Sequence, residues 1–359
     1  SRWSHRPVCT EHHVDIDSEL CVYTKAGFRD GRGISIFTTP DIAQEFADLK
    51  IFHDTSSTPE KEVTIRPWKT QELPGKGVAM IAGRDLQRGD LITAYTPALI
   101  VNRDKILLVK EEEEYLRRAI DQLPVATRAS YLELATMYND PTIIVQDVLK
   151  SNSFDLQVGG RMHLAIFPEP SRLNHDCAPN AQYYLDPGTL THYVHATRSI
   201  AEGVEITVPC KRNLYLNIDT SPFQETKARQ EHLRQGFHFT CNCKLCTNAK
   251  LSDAVLKRLQ ALQKKLGNWE HPEDGTRDDA MELIGLYKNQ GLDSFLDLPY
   301  GFASLAYNSF GDARRAIRYA RLAAEATEMK FGPGAADINL WQRIMEEPEK
   351  HWSWRYRMR

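Results

Sequence analysis

Gly236-Phe237-His238-Phe239-Thr240-Cys241-Asn242-Cys243-Lys244-Leu245-Cys246 sets three thiols within six residues. A Cys-x-Cys-x-x-Cys turn of this length can aim three sulfurs at one ion about 2.3 Å away, the zinc–thiolate distance. Closed zinc sites take four ligands, so this knuckle needs a distant fourth. Cys177, in Asn174-His175-Asp176-Cys177, is the best candidate. Four thiolates leave no open coordination position, and the metal read here is therefore structural rather than catalytic. A chance trio of reduced thiols is the competing reading, disfavoured by the tightness of the spacing.

The chain has 359 residues, 42% of them hydrophobic, enough for one large core or for two or three compact units. A formal charge of −3 gives no global electrostatic reason to bind nucleic acid, which is not the expected partner. No apolar run approaches the roughly 20 residues that a membrane-crossing helix needs. The start at Ser1 fits a trimmed or processed chain. Of the seven cysteines, Cys9, Cys21 and Cys210 stand outside the four-thiol set. Cys9 and Cys21 either close a short loop in an oxidising lumen or persist as two free thiols.

Upstream of the knuckle the pattern is strand-rich. Ile34 to Phe37 follows a Gly-rich turn, Pro40 to Lys50 has helical spacing, and Val63 to Ile65, Val78 to Ala82 and Leu91 to Val101 are apolar runs between Gly75, Gly77, Gly83 and Gly89. Between Lys105 and Lys150 the period becomes helical, with Tyr115, Leu116, Ala119, Ile120 and Leu123 on one face. Glu111 to Glu114 read as the solvated first turn of that helix, favoured by its macrodipole. Strands return at Arg161 to Phe167, Ala181 to Leu185, His192 to Ala196 and Glu205 to Val208, and beyond Asn248 the chain is almost wholly helical. In that last part Leu305 to Tyr307 and Ala313 to Lys330 resemble a single tetratricopeptide-like helix pair, for which ordinary helix packing is the simpler account.

Gly75-Lys76-Gly77, Asn174-His175-Asp176-Cys177, Gly203-Val204-Glu205-Ile206-Thr207 and the Cys-x-Cys-x-x-Cys knuckle together resemble, in order and spacing, the SET-domain lysine methyltransferases. The likeness is greatest to the branch with a split SET domain, the SET- and MYND-containing enzymes and their fungal relatives, although no MYND finger is read in this chain. The resemblance implies an α+β protein. Its parts are an N-terminal extension (1–62), a β-rich SET domain with a pseudoknot (63–210) and a helical insert at about 104–150, a post-SET zinc knuckle (211–249), and an α-helical C-terminal region (250–359). In such folds the Asn-His segment threads beside the Gly-x-Glu-Ile-Thr strand.

The resemblance also implies an S-adenosylmethionine site at Lys76, Gly77, Asn152, Ser171, Asn174, His175 and Phe239. A glycine loop admits close backbone approach, Asn and His can bond the amino-acid moiety or the adenine edge, and an aromatic face can stack on adenine. Structural roles compete at each position, since Asn174 and His175 would stabilise a buried crossing in any case.

The active-site positions depart from the family. It aligns the incoming amine with two tyrosines, and here Cys210 and Phe237 stand at those positions. Removing one preorganised polar group costs on the order of 10² to 10³ in rate. Tyr215 could substitute only through a register shift, and Cys210 reads better as a small apolar residue than as a reactive thiol. Two readings follow. One is a divergent methyltransferase acting on lysine or another nucleophile of a protein or small-molecule substrate. The other is a repurposed scaffold: a non-methylating enzyme acting on a small metabolite, such as a cyclase, or a catalytically silent binding protein. Place is read as slightly favouring a secreted or lumenal route over the cytoplasm or nucleus, against which stands the lack of any Asn-x-Ser/Thr sequon.

Overall fold

The computed structural model describes residues 2–53, 66–209, 222–271 and 274–358. Its α+β chain divides into two compact units. The first comprises residues 1–80, 91–173 and 185–193, and the second residues 81–90, 174–184 and 194–359.

A six-stranded sheet organises the first unit, in the order Val8–Cys9, Cys21–Lys25, Ile34–Thr38, Leu99–Asn102, Arg161–Ile166, Phe154–Val158. All neighbours are antiparallel except Ile34–Thr38 and Leu99–Asn102, which run parallel. Every residue of Ile34–Thr38 is buried, as expected of a central strand covered on both faces. The helical insert supplies one cover, as helices Val109–Asp121, Val125–Leu132 and Ile144–Asn152. Leu116, Ala119 and Ile120, at i, i+3 and i+4, join Tyr131, Val145 and Val148 in a core with Phe37, Leu99, Val101 and Ile166.

The acidic run at the start of the insert departs from the expected solvated face. Glu113 is 3% exposed, and its carboxylate accepts the N–H groups of Val145 (3.1 Å) and Gln146 (3.0 Å). These are otherwise unsatisfied donors in the first turn of Ile144–Asn152, so the carboxylate caps that helix while Arg117 pairs with it at 2.9 Å. Buried Asp147 does similar work for a turn, accepting the N–H groups of Met137, Tyr138 and Asn139 at 2.7 to 3.1 Å. Leu91 to Val101 is two strands, Leu91–Tyr95 and Leu99–Asn102, because Pro97 has no N–H to continue a ladder. The expected strand at Val63 to Ile65 lies outside the described residues.

In the second unit the crossing is short. Asn174–His175 pairs in parallel with Thr207–Val208, in the register Asn174 to Thr207 and His175 to Val208. Regular strand covers only Thr207–Val208 of the expected Glu205 to Val208, and Glu205 makes an isolated bridge to Ile81. The expected strands at Ala181 to Leu185 and His192 to Ala196 form as Ala181–Asp186 and Thr191–Ala196. From Thr226 onward the regular structure of the described residues is helical, including Thr226–Phe237, Lys244–Thr247, Ala249–Leu266, Arg277–Asn289, Asp297–Ser309, Ala313–Phe331 and Ala336–Glu346. Asp297–Ser309 and Ala313–Phe331 pack through a buried face carrying Ala316, Ala320 and Ala323, small residues that let two backbones approach. At Gly301 a Cβ would lie 2.6 Å from the Trp341 ring, so the glycine is what admits that indole. No helix among the described residues is long and apolar enough to cross a membrane.

Candidate metal centre and cofactor face

The four cysteines expected to bind zinc come together in the second unit. Cys177 Sγ lies 4.0 Å from Cys241 Sγ and 3.7 Å from Cys246 Sγ, and all four sulfurs fall within 4.8 Å of one another. A tetrahedron with bonds of about 2.3 Å has edges of about 3.8 Å, so the set fits a tetrathiolate zinc site. Cys243 precedes the one-turn helix Lys244–Thr247 and Cys246 lies within it, which turns both sulfurs to one side. Cys177 follows the crossing strand, so the cluster ties residue 177 to residues 241–246. Sulfurs this close cannot ionise independently. Hydrogen bonds from the other three push the Cys177 thiol up and hold the Cys243 thiol down, so protons are shared among the four sulfurs as a set.

Two neighbouring residues of helix Thr226–Phe237 buttress the knuckle, and the sequence reading missed both. Gln230 brackets Cys241, accepting its N–H at 3.0 Å and donating to its carbonyl at 2.5 Å. Arg229 lies 4.0 Å from Cys246 Sγ.

The crossing sets Asn174 and His175 beside this cluster. Asn174 Nδ2 donates to Glu205 Oε1 at 2.9 Å, giving the motif glutamate a role that its position in the strand did not reveal. His175 Nε2 is 3.3 Å from Cys177 Sγ, a hydrogen bond whose direction follows the ring's tautomer. Burial pushes the His175 pKa down to about 4 and that of Asp176 up to about 6. Helix Thr226–Phe237 ends at His238 in the left-handed region (φ 56°), and beyond that turn the Phe239 ring sits 5.9 Å from the His175 ring. Phe237, by contrast, packs against the apolar cluster that holds Cys177, Leu233, Cys241 and Leu245.

Asn180, also unforeseen, holds the crossing strand from its other side. Its Oδ1 accepts the Thr207 N–H and its Nδ2 donates to the Glu205 carbonyl, each at 2.8 Å. One amide thus substitutes for a neighbouring strand.

Lys76, Gly77, Asn152 and Ser171 belong to the first unit. Lys76 and Gly77 form the turn between strands Trp68–Leu73 and Gly77–Ala82, where Gly75 (φ 73°) and Gly77 (φ 70°) adopt a backbone that favours glycine. Asn152 is 9% exposed and donates to the carbonyls of Ala135 (2.7 Å) and Val148 (2.8 Å). Ser171 Oγ is 3.5 Å from the Asn152 carbonyl. Cys210 and Tyr215 lie outside the described residues.

Residues 77–211 match the SET domain family. The histone-lysine N-methyltransferase set5 of Schizosaccharomyces pombe is 27% identical over 205 residues, 55% of this chain and 55% of that protein. The human N-lysine methyltransferase SMYD2 is 29% identical over 154 residues, 40% of this chain and 33% of its own length. The Drosophila melanogaster SET domain-containing protein SmydA-8, isoform A, is 32% identical over 114 residues, 31% of this chain and 22% of that one. The chain thus spans about half the length, or less, of these relatives. A solved Plasmodium falciparum structure aligns at 12% identity over 42% of this chain and 98% of that one with a TM-score of 0.23, and carries no argument about the fold. With the matched segment, the Asn-His crossing and a four-cysteine cluster that could bind zinc in agreement, the chain carries a SET domain over residues 77–211 and is similar, at modest identity, to lysine methyltransferases.

Proposed function

We propose that this protein binds S-adenosylmethionine at the face carrying Asn174, His175 and Phe239 and transfers its methyl group to a lysine or another nucleophile of a protein or small-molecule substrate. The bond from Asn174 to Glu205 carries the reading. A carboxylate only accepts, so the Asn174 amide nitrogen must face Glu205, and Oδ1 is the acceptor left for an amino group such as that of the methionine moiety. Phe239, 37% exposed, offers a ring to adenine. When bound, the cofactor supplies an electrophilic methyl on a sulfonium centre. For Lys76, Gly77, Asn152 and Ser171 the proposal rests on family resemblance alone. Structural zinc at Cys177, Cys241, Cys243 and Cys246 would fix the backbone on both sides of His175 and Phe239.

Phe237 lacks a phenol, and this observation favours a second reading, a SET scaffold used for binding or for non-methylating chemistry. The deciding experiment incubates the zinc-loaded chain with methyl-labelled S-adenosylmethionine and pools of proteins, peptides and small molecules. Labelled product from the native chain is expected, at a rate that rises in Phe237→Tyr paired with Cys210→Tyr. Cofactor binding without product from any pool would overturn the transferase reading in favour of the second.

We further propose an oxidising compartment. The disulfide between Cys9 and Cys21, directly opposite each other on neighbouring strands, supports it. Differential alkylation and mass spectrometry on protein from its own cells should find both thiols blocked, and free thiols would refute it. The division of the chain at residues 62, 210 and 249 is likewise a proposal, which limited proteolysis tests.

A further inference from the structure

Arg229 is 1% exposed. Its contacts, apart from the cluster, are uncharged: Nη1 donates to the carbonyls of Pro222 (3.4 Å) and Gln224, and Nη2 to Thr226 Oγ1 (3.0 Å). Nε has no partner among the described residues. None of the ion pairs among the described residues involves Arg229, and Asp253 connects to it only through the Thr226 hydroxyl, which donates to Asp253 at 2.8 Å. Nη2 is also 4.0 Å from Cys246 Sγ.

A guanidinium stays protonated, and burying one is unfavourable unless an anion faces it. Four neutral thiols would not supply that anion. Four thiolates around a divalent cation carry a net charge of 2−, from four negative charges and one dication. We infer that Arg229 is the counter-cation of a metal-bound tetrathiolate, offsetting with its fixed charge the excess negative charge of the four sulfurs. The inference rests on the reading that the cluster binds zinc, and it concerns a residue outside the ligand set. The effect is mutual: the metal-bound cluster neutralises a cation the fold has buried, and the cation stabilises the net negative charge of that cluster. Thr226, Pro222 and Gln224 then hold the fork in place, and helix Thr226–Phe237 positions both the cation and the Gln230 bracket on Cys241.

The test titrates the metal-stripped full chain with zinc against a chromophoric chelator at one pH, with cobalt as a spectroscopic probe of thiolate ligation. The native chain is expected to take one zinc with thiolate-to-cobalt charge-transfer bands. Without such binding the zinc reading itself fails, and the inference falls with it. Given one bound zinc, Arg229→Met should weaken affinity by about 10- to 100-fold, the range for outer-shell partners of metal ligands. Arg229→Lys keeps the charge but loses the fork, and should stay within about fivefold of native. Affinity within about twofold of native in Arg229→Met, or equal losses in both variants, would overturn the inference. Should Arg229→Met fail to fold, Arg229→Lys decides alone: retention within about fivefold supports the charge role, and a larger loss overturns it.

Discussion

Replacing Asn180 by alanine tests how the crossing is held. The side chain is 6% exposed and makes two bonds at 2.8 Å to one neighbouring strand, accepting from Thr207 N–H and donating to the Glu205 carbonyl. Each such bond contributes about 1 kcal/mol net, and a buried backbone group left without a partner costs about 1 to 3 kcal/mol more. Water entering the vacated space offsets part of this, so the expected loss is about 2 to 4 kcal/mol. For a unit of this size that corresponds to a drop of about 5 to 15 °C in Tm. Urea unfolding should show a lower midpoint at unchanged slope, the sign of altered stability without altered compactness. Asn180→Asp provides an internal control. It keeps an acceptor for Thr207 but sets a carboxylate oxygen against the Glu205 carbonyl, and should lose at least as much. A loss under about 0.5 kcal/mol in the alanine variant, typical of an uninvolved surface site, would refute the bracing role.

Asp147→Ala strips the acceptor from three backbone N–H groups and should destabilise the first unit by about 3 kcal/mol or more in denaturant titration, with a surface-like loss counting against the turn account. His163 is buried, donating from Nδ1 to the Arg161 carbonyl and accepting at Nε2 from Thr38, and burial pushes its pKa down to about 4. The unfolded chain, with an ordinary histidine, takes up the proton first as pH falls. Stability is therefore full above about pH 6.5 and is lost toward pH 4, by about 2 kcal/mol at pH 5. His163→Gln should flatten that part of the stability profile, and an unchanged slope would refute the assignment. Chelation of zinc, or Cys243→Ser, should lower the Tm of the second unit and expose apolar dye-binding surface around Leu233 and Leu245, with no change if the thiols hold no metal.

Much of this architecture is legible where one local rule dominates. The thiol spacing and a single distant cysteine lead to a cluster that the structure closes, and helical periodicity locates the insert. The Asn-His crossing is legible only through resemblance, because a two-residue pairing leaves no periodic signal. Strands Phe154–Val158 and Trp68–Leu73 are not among the expected elements; the middle of the second, Lys69 to Glu72, faces solvent and shows no alternation. Glu113 illustrates a deeper limit: an acidic first turn looks solvated until a second helix brings its N-terminus to the carboxylate. Asn180, Gln230 and Arg229 were illegible for the same reason. Their partners are backbone groups and sulfurs placed by tertiary structure, and composition says nothing about which amide will find which strand.

Calorimetric titration of the zinc-loaded chain with S-adenosylmethionine, beside Asn174→Ala and Phe239→Ala, tests the central claim most directly. Saturable binding at one site per chain is expected, weakened about tenfold or more in each variant, since each removes a contact worth about 1 to 2 kcal/mol. Absence of binding by the native chain, or binding indifferent to both substitutions, would contradict it.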